Sequence, residues 1–169
     1  MVDAIAFGAS ALGDHGLIWF LIGVVRGRKP GRRRRAAVAA VLFSGAVTPV
    51  VNTAVKSGVG RRRPDPREDD PRSIRMPRSA SFPSGHSLAA WCAATMLADG
   101  DPLGPLYYLT AGAVSLSRIH LRQHHTTDVI AGAALGMALG RLGRCMAGPW
   151  TAAGTPPGMR GRRAGLSLL

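Results

Sequence analysis

The sequence is short of aromatic residues and cysteine, and each shortage narrows the kind of protein it can be. Aromatic residues make up only 5% of the 169 residues, although apolar residues make up 46%. The interior is therefore predicted to be built from small aliphatic side chains rather than large rings. Cys92 and Cys145 lie far apart in apolar stretches, which argues against a disulfide framework or a thiolate metal site. Asp3 and the lack of nearby basic residues make the N-terminus a poor signal peptide.

Acidic residues are also scarce, since nine of them face 22 basic residues and leave a net charge of +13. Such a charge suits either nucleic acid or an anionic membrane surface. Seven basic residues lie within 26–35, and the next twenty residues, 36–55, carry no charge. Twenty helical residues span about 30 Å, the thickness of a bilayer core. This arrangement favours a membrane protein with no nucleic-acid partner.

Apolar segments recur along most of the chain. Five of them can be marked, at 5–25, 36–55, 86–98, 102–117 and 129–150. They predict an all-α, polytopic transmembrane bundle of about five to six helices. Residues 1–150 are expected to form the membrane domain, and the Gly-, Pro- and Arg-rich residues 151–169 a mobile basic tail.

The last apolar segment contains a glycine every fourth residue, at Gly132, Gly136 and Gly140. Such a stripe lets helices approach closely in lipid. Packing within the chain is favoured over dimerisation, and the oligomeric state stays open.

The positions of the basic residues predict the topology. The positive-inside rule places 26–35 in the cytoplasm, so that 36–55 crosses outward and 56–82 emerges outside. The outer loop nevertheless carries eight basic residues, and such local conflicts tend to mark functional sites. By the same counting, polar clusters at 56–64, 83–86 and 117–128 fall on one side of the membrane.

All three clusters offer groups that bind phosphate. Lys56, Arg63 and Arg118 are cations, and the arginine fork matches phosphate oxygens. Ser84-Gly85-His86 opens a predicted helix, where free backbone N–H groups bind anions. A tetrahedral dianion such as phosphate is the ligand that these groups predict.

The histidines supply acid–base and nucleophilic chemistry. His124 and Asp128 are four residues apart and share a helical face. The carboxylate can bond one imidazole nitrogen and leave the other free to attack. His86 can then protonate the leaving oxygen.

A metal site is the alternative reading of the same region. His120, His124, His125 and Asp128 could serve as ligands, but there is no thiolate and no HExxH pattern, and neighbouring arginines would repel a cation. No metal and no cofactor are therefore expected.

The three clusters together resemble the signature of the type 2 phosphatidic acid phosphatase superfamily. Its parts read here as Lys56 to Arg63-Pro64, Pro83-Ser84-Gly85-His86, and Ser117-Arg118 to His124 and Asp128. The resemblance implies a helical membrane bundle with its active site at one membrane face, and a phosphatase that needs no metal. It also implies roles: His124 would be the nucleophile that forms a phosphohistidine, Asp128 would orient it, and His86 would be the general acid. The phosphate would be held by Lys56, Arg63, Ser84, Gly85 and Arg118.

The resemblance also bears on the substrate, which would be a membrane lipid. Twenty arginines against two lysines suggest a GC-rich bacterial genome. The short chain is similar to small actinobacterial members of the superfamily, some of which act on decaprenylphosphoryl phosphoribose. A polyprenyl-linked phosphate is therefore expected first, and phosphatidic acid or phosphatidylglycerophosphate next. The bacterial plasma membrane is the expected location, with the active site on its extracytoplasmic face.

Two other functions share the same pattern. Vanadium-dependent haloperoxidases have the same three motifs, but they are soluble and much longer. A non-catalytic lipid-binding protein on this fold would show a degenerate site, whereas every motif residue is present here.

Overall fold

The computed structural model describes residues 17–28, 32–65 and 79–152. Within these residues the secondary-structure elements are helices joined by short connecting segments. The five helices are α1 (Leu17–Gly27), α2 (Arg32–Val59), α3 (Gly85–Leu97), α4 (Gly104–His120) and α5 (Thr126–Ala152). The predicted all-α bundle is confirmed. Residues 5–16 of the first predicted segment and 153–169 of the predicted tail lie outside the described residues.

Helix α2 is longer than the apolar run that predicted it. It begins within the arginine cluster at Arg32, because arginine is a good helix former whose long side chain can reach the membrane interface. It ends at Val59, where Gly60 takes a positive φ of 59° and donates its N–H to the Lys56 carbonyl at 3.1 Å. A left-handed glycine is a common helix stop, and here it turns the chain into the Arg61–Arg63 segment.

Helix α3 lies at the centre of the bundle and contacts α2, α4 and α5. Its 13 residues span about 20 Å, less than a bilayer core. Much of its surface is buried, notably at Leu88, Ala90, Cys92, Ala93, Ala94 and Leu97. Helix α3 is therefore enclosed by its neighbours over most of its length, and the site lies at its partly exposed start.

The glycine stripe of α5 packs against α3 of the same chain. A Cβ atom on Gly132 would lie 2.5 Å from the Ser84 carbonyl oxygen, and one on Gly136 would lie 2.4 Å from the Leu88 carbonyl oxygen. A Cβ on Gly140 would meet the Cys92 carbonyl oxygen at 2.8 Å. The glycines therefore bring the two backbones into contact, as expected for packing within the chain.

Replacing Gly136 with alanine should destabilise the bundle, because the added methyl group meets backbone that cannot move aside. We expect the free energy of unfolding to fall by about 2–3 kcal/mol, the upper range for overpacking. Thermal unfolding in detergent should show a lower midpoint than wild type. Gly112→Ala is the matched control, because nothing lies within 4 Å of its added Cβ. An unchanged midpoint for Gly136→Ala would contradict the close approach of α3 and α5.

The outer faces of the helices are apolar. Large exposed side chains include Leu42, Val50, Leu109, Leu116, Ile130 and Met146. Segments Arg34–Val59 and Thr126–Gly148 are long and apolar enough to cross a membrane. An apolar exterior of this extent is typical of a bundle solvated by lipid.

A buried ion pair joins the helices at the far end of the bundle. Arg26 of α1 lies 2.6 Å from Asp101, which precedes α4, and both side chains are less than a tenth exposed. Arg26 also donates to the Leu97 carbonyl at 2.5 Å, and Tyr107 donates to Asp101 at 3.1 Å. These contacts anchor α1 to α3 and α4.

Candidate active site

The three sequence clusters meet at one end of the bundle. The C-terminal ends of α2 and α4 and the N-terminal ends of α3 and α5 converge there, which follows from their alternating directions. A cavity of about 730 Å³ lies among α1, α2 and α3. The residues that line it include Lys56, Arg63, Gly85, His86 and His124. Five of the eight predicted site residues therefore line one cavity.

The other three predicted residues lie behind its wall. The Ser84 hydroxyl caps α3 by accepting the Ser87 N–H at 3.5 Å, and its own N–H donates to the Asp128 carbonyl at 3.0 Å. Arg118 is 1% exposed and donates to the Gln123 side-chain oxygen at 2.9 Å. Asp128 is fully buried. These three residues are buried next to the residues that line the cavity, and the phosphate contact expected for Ser84 and Arg118 stays a prediction.

His124 is held in one tautomer by the main chain. Its Nδ1–H donates to the Ser81 carbonyl at 2.8 Å, and its Nε2 lies 3.4 Å from Arg63 Nη1 at the cavity. The Asp128 carboxylate is 3.9 Å from Nδ1, so the direct hydrogen bond expected from the i,i+4 spacing is replaced by one to Ser81. Because Nδ1 carries the proton, the lone pair of Nε2 is available.

Asp128 acts on the residues around His124. It accepts hydrogen bonds from the Ser81 hydroxyl, from Arg61 Nη1 at 3.0 Å and from the His125 N–H at 2.9 Å. Its place in the first turn of α5 also suits the helix dipole. The carboxylate therefore positions Ser81, whose carbonyl in turn positions the imidazole.

Sequence reasoning missed both Ser81 and Arg61. Ser81 acts through its backbone carbonyl, and a carbonyl contact leaves no signal in residue type. Arg61 belongs to a run of three arginines in which only Arg63 matched the motif. Its ion pair with Asp128 depends on a contact across 67 residues, which spacing alone does not reveal.

Arg63 is fixed from several sides. Its Nε donates to the Ser79 carbonyl at 3.0 Å, its Nη2 to the Ser79 hydroxyl at 3.2 Å, and its Nη1 to the Gln123 carbonyl at 2.7 Å. Lys56 reaches the same Ser79 hydroxyl at 3.4 Å. Two cations are thus held beside the free nitrogen of His124, as an anionic ligand requires.

The start of α3 adds main-chain donors to this wall. The first hydrogen bond of the helix is from the Leu88 N–H to the Ser84 carbonyl, so the N–H groups of Gly85 and His86 precede the helical ladder. Both residues line the cavity. Together with the helix dipole, these donors favour an anion at this point.

Burial first, and then the positive charge of Arg63, lower the pKa of His124 from its ordinary 6.5 to about 3. The imidazole is therefore neutral at physiological pH. Because the unfolded chain binds a proton between pH 6.5 and 3 that the folded chain does not, acidification through this window favours unfolding. The contribution of the neutral imidazole to the free energy of unfolding is therefore largest above pH 6.5 and is lost as the pH falls towards 3.

This electrostatic state can be measured directly. In ¹⁵N-histidine-labelled protein in micelles, the His124 resonances should keep the neutral Nδ1–H pattern from pH 8 down to about pH 5. His124→Gln identifies those resonances among the five histidines. A titration of His124 with a midpoint near pH 6.5 would contradict the burial and charge described here.

The alternative metal site finds little support in this geometry. His124 Nε2 faces the Arg63 guanidinium, and the Asp128 carboxylate pairs with Arg61. Within the described part of the chain, no group of three or more His, Cys, Asp or Glu side chains could hold a metal ion. Arg63 and Arg61 therefore occupy the positions beside His124 and Asp128 that a metal ion would need.

Comparison with known proteins agrees with this geometry. The sequence profile of the PAP2 superfamily matches residues 37–151. The decaprenylphosphoryl-5-phosphoribose phosphatase of Mycobacterium tuberculosis is 32% identical over 140 residues, which cover 82% of this chain and 77% of the relative. The protein of the same name from Mycolicibacterium smegmatis is 32% identical over 130 residues, covering 74% of this chain and 69% of the relative.

A solved structure shows the same fold. The transmembrane PAP2-type phosphatidylglycerolphosphate phosphatase from Bacillus subtilis superimposes with a TM-score of 0.70 and 24% identity, covering 88% of this chain and 77% of that chain. The helical bundle described above is therefore a polytopic transmembrane one. From the profile match and the curated relatives, the chain belongs to the PAP2 superfamily of lipid phosphatases.

Proposed function

We propose that this phosphatase hydrolyses a polyprenyl-linked phosphate, without a metal, through a phosphohistidine intermediate on His124. One observation carries the proposal: the unprotonated Nε2 of a buried, neutral imidazole lies at a cavity wall beside Arg63, with Lys56 on the same wall. A neutral nitrogen nucleophile next to fixed cations is what attack on a phosphate dianion requires.

The first half of the reaction transfers the phosphoryl group to the enzyme. The Nε2 lone pair attacks phosphorus and forms an N–P bond while the bond from phosphorus to the lipid oxygen breaks. His86 donates a proton to that oxygen, so the lipid leaves as an alcohol, or as a phosphate if the substrate is a diphosphate. Lys56, Arg63 and the N–H groups at the start of α3 stabilise the charge on the transferring group.

The second half releases phosphate. Water attacks phosphorus, the N–P bond breaks, and the electron pair returns to Nε2. The proton of the attacking water passes to His86, which restores the general acid. Nδ1 keeps its proton and its bond to the Ser81 carbonyl throughout, so the imidazole does not rotate between the two halves.

The cavity also has apolar lining that suits a hydrocarbon chain. Trp19 and Phe20 of α1, Val41 of α2 and Ala89 of α3 contribute to it. The two mycobacterial relatives are named for a decaprenyl lipid, so a polyprenyl chain is our first choice ahead of phosphatidic acid or phosphatidylglycerophosphate. The basic residues at the start of α2 favour the cytoplasmic side, which supports an extracytoplasmic site, in a bacterial plasma membrane, at the opposite end of this helix.

Phosphate release in EDTA tests the proposal. Detergent-purified protein should release phosphate from a polyprenyl phosphate faster than from phosphatidic acid or phosphatidylglycerophosphate. Quenched turnover with ³²P-labelled lipid should trap an acid-labile, base-stable phosphoenzyme, as a P–N bond requires. Loss of release in EDTA that is restored by a divalent metal would contradict the mechanism. Absence of release from every lipid by folded protein would favour the non-catalytic lipid-binding alternative.

Replacing Ser81 with alanine should lower kcat more than it changes substrate binding. Ser81→Ala removes the hydroxyl that bonds Asp128 but keeps the carbonyl that bonds His124, so the imidazole is held less firmly. We expect kcat to fall about tenfold, the cost of one positioning hydrogen bond. KM should change less than about twofold, because Ser81 does not line the cavity.

The control for Ser81→Ala is Ser57→Ala, since the exposed Ser57 hydroxyl bonds only the Ala54 carbonyl of its own helix. Steady-state kinetics and thermal unfolding of both variants separate rate from stability. A rise in KM with unchanged kcat would assign Ser81 to the binding surface instead.

A further inference from the structure

Ser79 lies outside the three sequence motifs, yet two cations of the cavity bond to it. Its hydroxyl oxygen is 3.4 Å from Lys56 Nζ and 3.2 Å from Arg63 Nη2, and its carbonyl oxygen is 3.0 Å from Arg63 Nε. Ser79 is exposed and lines the same cavity as His124. The serine therefore belongs to the wall that carries both cations and the proposed nucleophile.

The direction of the hydrogen bonds at the Ser79 hydroxyl is fixed by the chemistry of its partners. Lysine and arginine side chains donate hydrogen bonds and cannot accept them, so the hydroxyl accepts from both Lys56 and Arg63. A serine hydroxyl has two lone pairs and one hydrogen. Since both lone pairs are engaged, the hydrogen is the group that the hydroxyl can offer to a ligand.

The two neighbouring cations also select the kind of ligand that this hydrogen suits. Each N–H that donates to the Ser79 oxygen polarises the hydroxyl, and hydrogen bonds in such a chain strengthen one another. Positive charge on both sides repels a cationic ligand and attracts an anionic one. The hydroxyl is therefore suited to donate to an oxyanion.

Arg63 indicates where such an oxyanion would lie. Its guanidinium has five N–H hydrogens, and three of them are engaged, with the Ser79 carbonyl, the Ser79 hydroxyl and the Gln123 carbonyl. One hydrogen is left on each of Nη1 and Nη2. His124 Nε2 is 3.4 Å from Nη1, and the Ser79 hydroxyl oxygen is 3.2 Å from Nη2. A phosphate group bound to these two nitrogens therefore lies between the imidazole and the serine hydroxyl.

We propose that the Ser79 hydroxyl is a further phosphate-binding group, which donates its hydrogen to a non-bridging oxygen of the phosphate that His124 attacks. The proposal rests on the phosphatase function argued above and adds a contact that none of the three motifs contains. The non-bridging oxygens carry negative charge in the substrate, in the transition state and in released phosphate. The contact therefore stabilises all three, and its loss should weaken binding more than it slows the bound substrate.

Inorganic phosphate tests the contact independently of turnover. Its dissociation constant is measured by ³¹P NMR titration of detergent-purified wild type, Ser79→Ala and Ser79→Thr, with steady-state release from a polyprenyl phosphate measured alongside. Ser79→Ala removes the hydroxyl but keeps the carbonyl that bonds Arg63 Nε, whereas Ser79→Thr keeps both groups. Ser57→Ala is the control, because it makes the same change at an exposed serine whose hydroxyl bonds the Ala54 carbonyl.

Ser79→Ala should weaken phosphate binding about tenfold and raise KM by a similar factor, as expected for one lost hydrogen bond to a charged group. Its kcat should change less than about threefold, because the contact is present before and during the reaction. Ser79→Thr should stay within about twofold of wild type, since it keeps the donor. Ser57→Ala should match wild type. If Ser79→Ala does not fold, Ser79→Cys replaces it, because a thiol of similar size is only a weak donor.

The ¹⁵N resonances of His124 separate a direct contact from a structural one. If they are unchanged in Ser79→Ala while phosphate binding weakens, Arg63 has kept its place and the lost affinity belongs to the missing donor. If they shift together with the loss, Ser79 only positions Arg63, and the proposed contact is overturned.

Unchanged phosphate affinity in Ser79→Ala, with lipid hydrolysis by wild type, would overturn the contact and leave the phosphatase function standing. Phosphate binding that Ser79→Ala weakens, without hydrolysis of any lipid by wild type, would support the contact and overturn the proposed function. Folded wild type that neither binds phosphate nor forms a phosphoenzyme would overturn both.

Discussion

Substitution of His124 with glutamine should abolish phosphate release, with a fall of at least about 10³-fold in kcat, because glutamine offers no nitrogen that can form a phosphoryl bond. The side-chain amide can still donate to the Ser81 carbonyl that holds Nδ1 in wild type. The loss should therefore reflect missing chemistry rather than a missing contact. Steady-state release and the ³²P phosphoenzyme should disappear together.

The control for this variant is His120→Gln. His120 ends α4 and is not among the residues that line the cavity, so its activity and phosphoenzyme yield should match those of wild type. Retention of the phosphoenzyme in His124→Gln would show that another residue is the nucleophile, and His86 would then be the first to examine.

Arg63→Lys should lower kcat/KM by about 10²- to 10³-fold, although the charge is conserved. The guanidinium uses three nitrogens at once to bond Ser79 and Gln123, and it lies beside His124 Nε2. A lysine ammonium lacks this planar fork and cannot reproduce that geometry. Loss of one preorganised donor to a transition-state anion costs about 3–4 kcal/mol, which corresponds to this range.

Arg62→Lys is the matched control for Arg63→Lys. It makes the same change one residue earlier, where the described contact comes from the Arg62 carbonyl, which meets His125. It should retain nearly all activity. A second readout follows from electrostatics: the charge of Arg63 helps to lower the pKa of His124, so Arg63→Ala should raise that pKa. Equal activity of Arg63→Lys and Arg62→Lys would remove Arg63 from the phosphate site.

Convergence of the site residues could be predicted from the sequence because membrane helices alternate in direction. Counting apolar segments placed Lys56, His86 and His124 at the same side of the bundle, and the structure confirms this grouping around one cavity. The spacing of the three motifs added the identity of the groups. Their roles in the reaction stay predictions.

Contacts through the main chain and across buried walls could not be predicted in this way. The i,i+4 rule favoured a direct bond between His124 and Asp128, but the non-helical segment before α5 turns the imidazole toward the Ser81 carbonyl instead. Arg118 is a motif arginine, yet its guanidinium bonds Gln123 behind the cavity wall. Motif membership identifies residue types near a site, but it does not reveal which neighbours each side chain contacts.

A polar stripe on α2 shows a different limit of prediction from the sequence. The spacing of Ser44, Thr48 and Asn52 before Lys56 was visible in the sequence. The absence of charge over 36–55 predicted a membrane span, and the uncharged polar residues within it were not singled out. A periodicity test for uncharged polar residues would have detected the stripe, because all three share one helical face.

The tight contact of α5 with α3 fixes one side of the cavity. Gly132 fixes the register of α5 against the Ser84 carbonyl, which keeps Asp128 and His124 aligned with the start of α3. The other side of the cavity is formed by α1 and α2. Arg26 anchors α1 to the far end of the bundle, and α2 packs against α3 and α5. Substitutions on the α1–α2 side below Lys56 can therefore change lipid selectivity while the chemistry is preserved, and a chimera exchanging only those helices should acquire the donor's substrate preference.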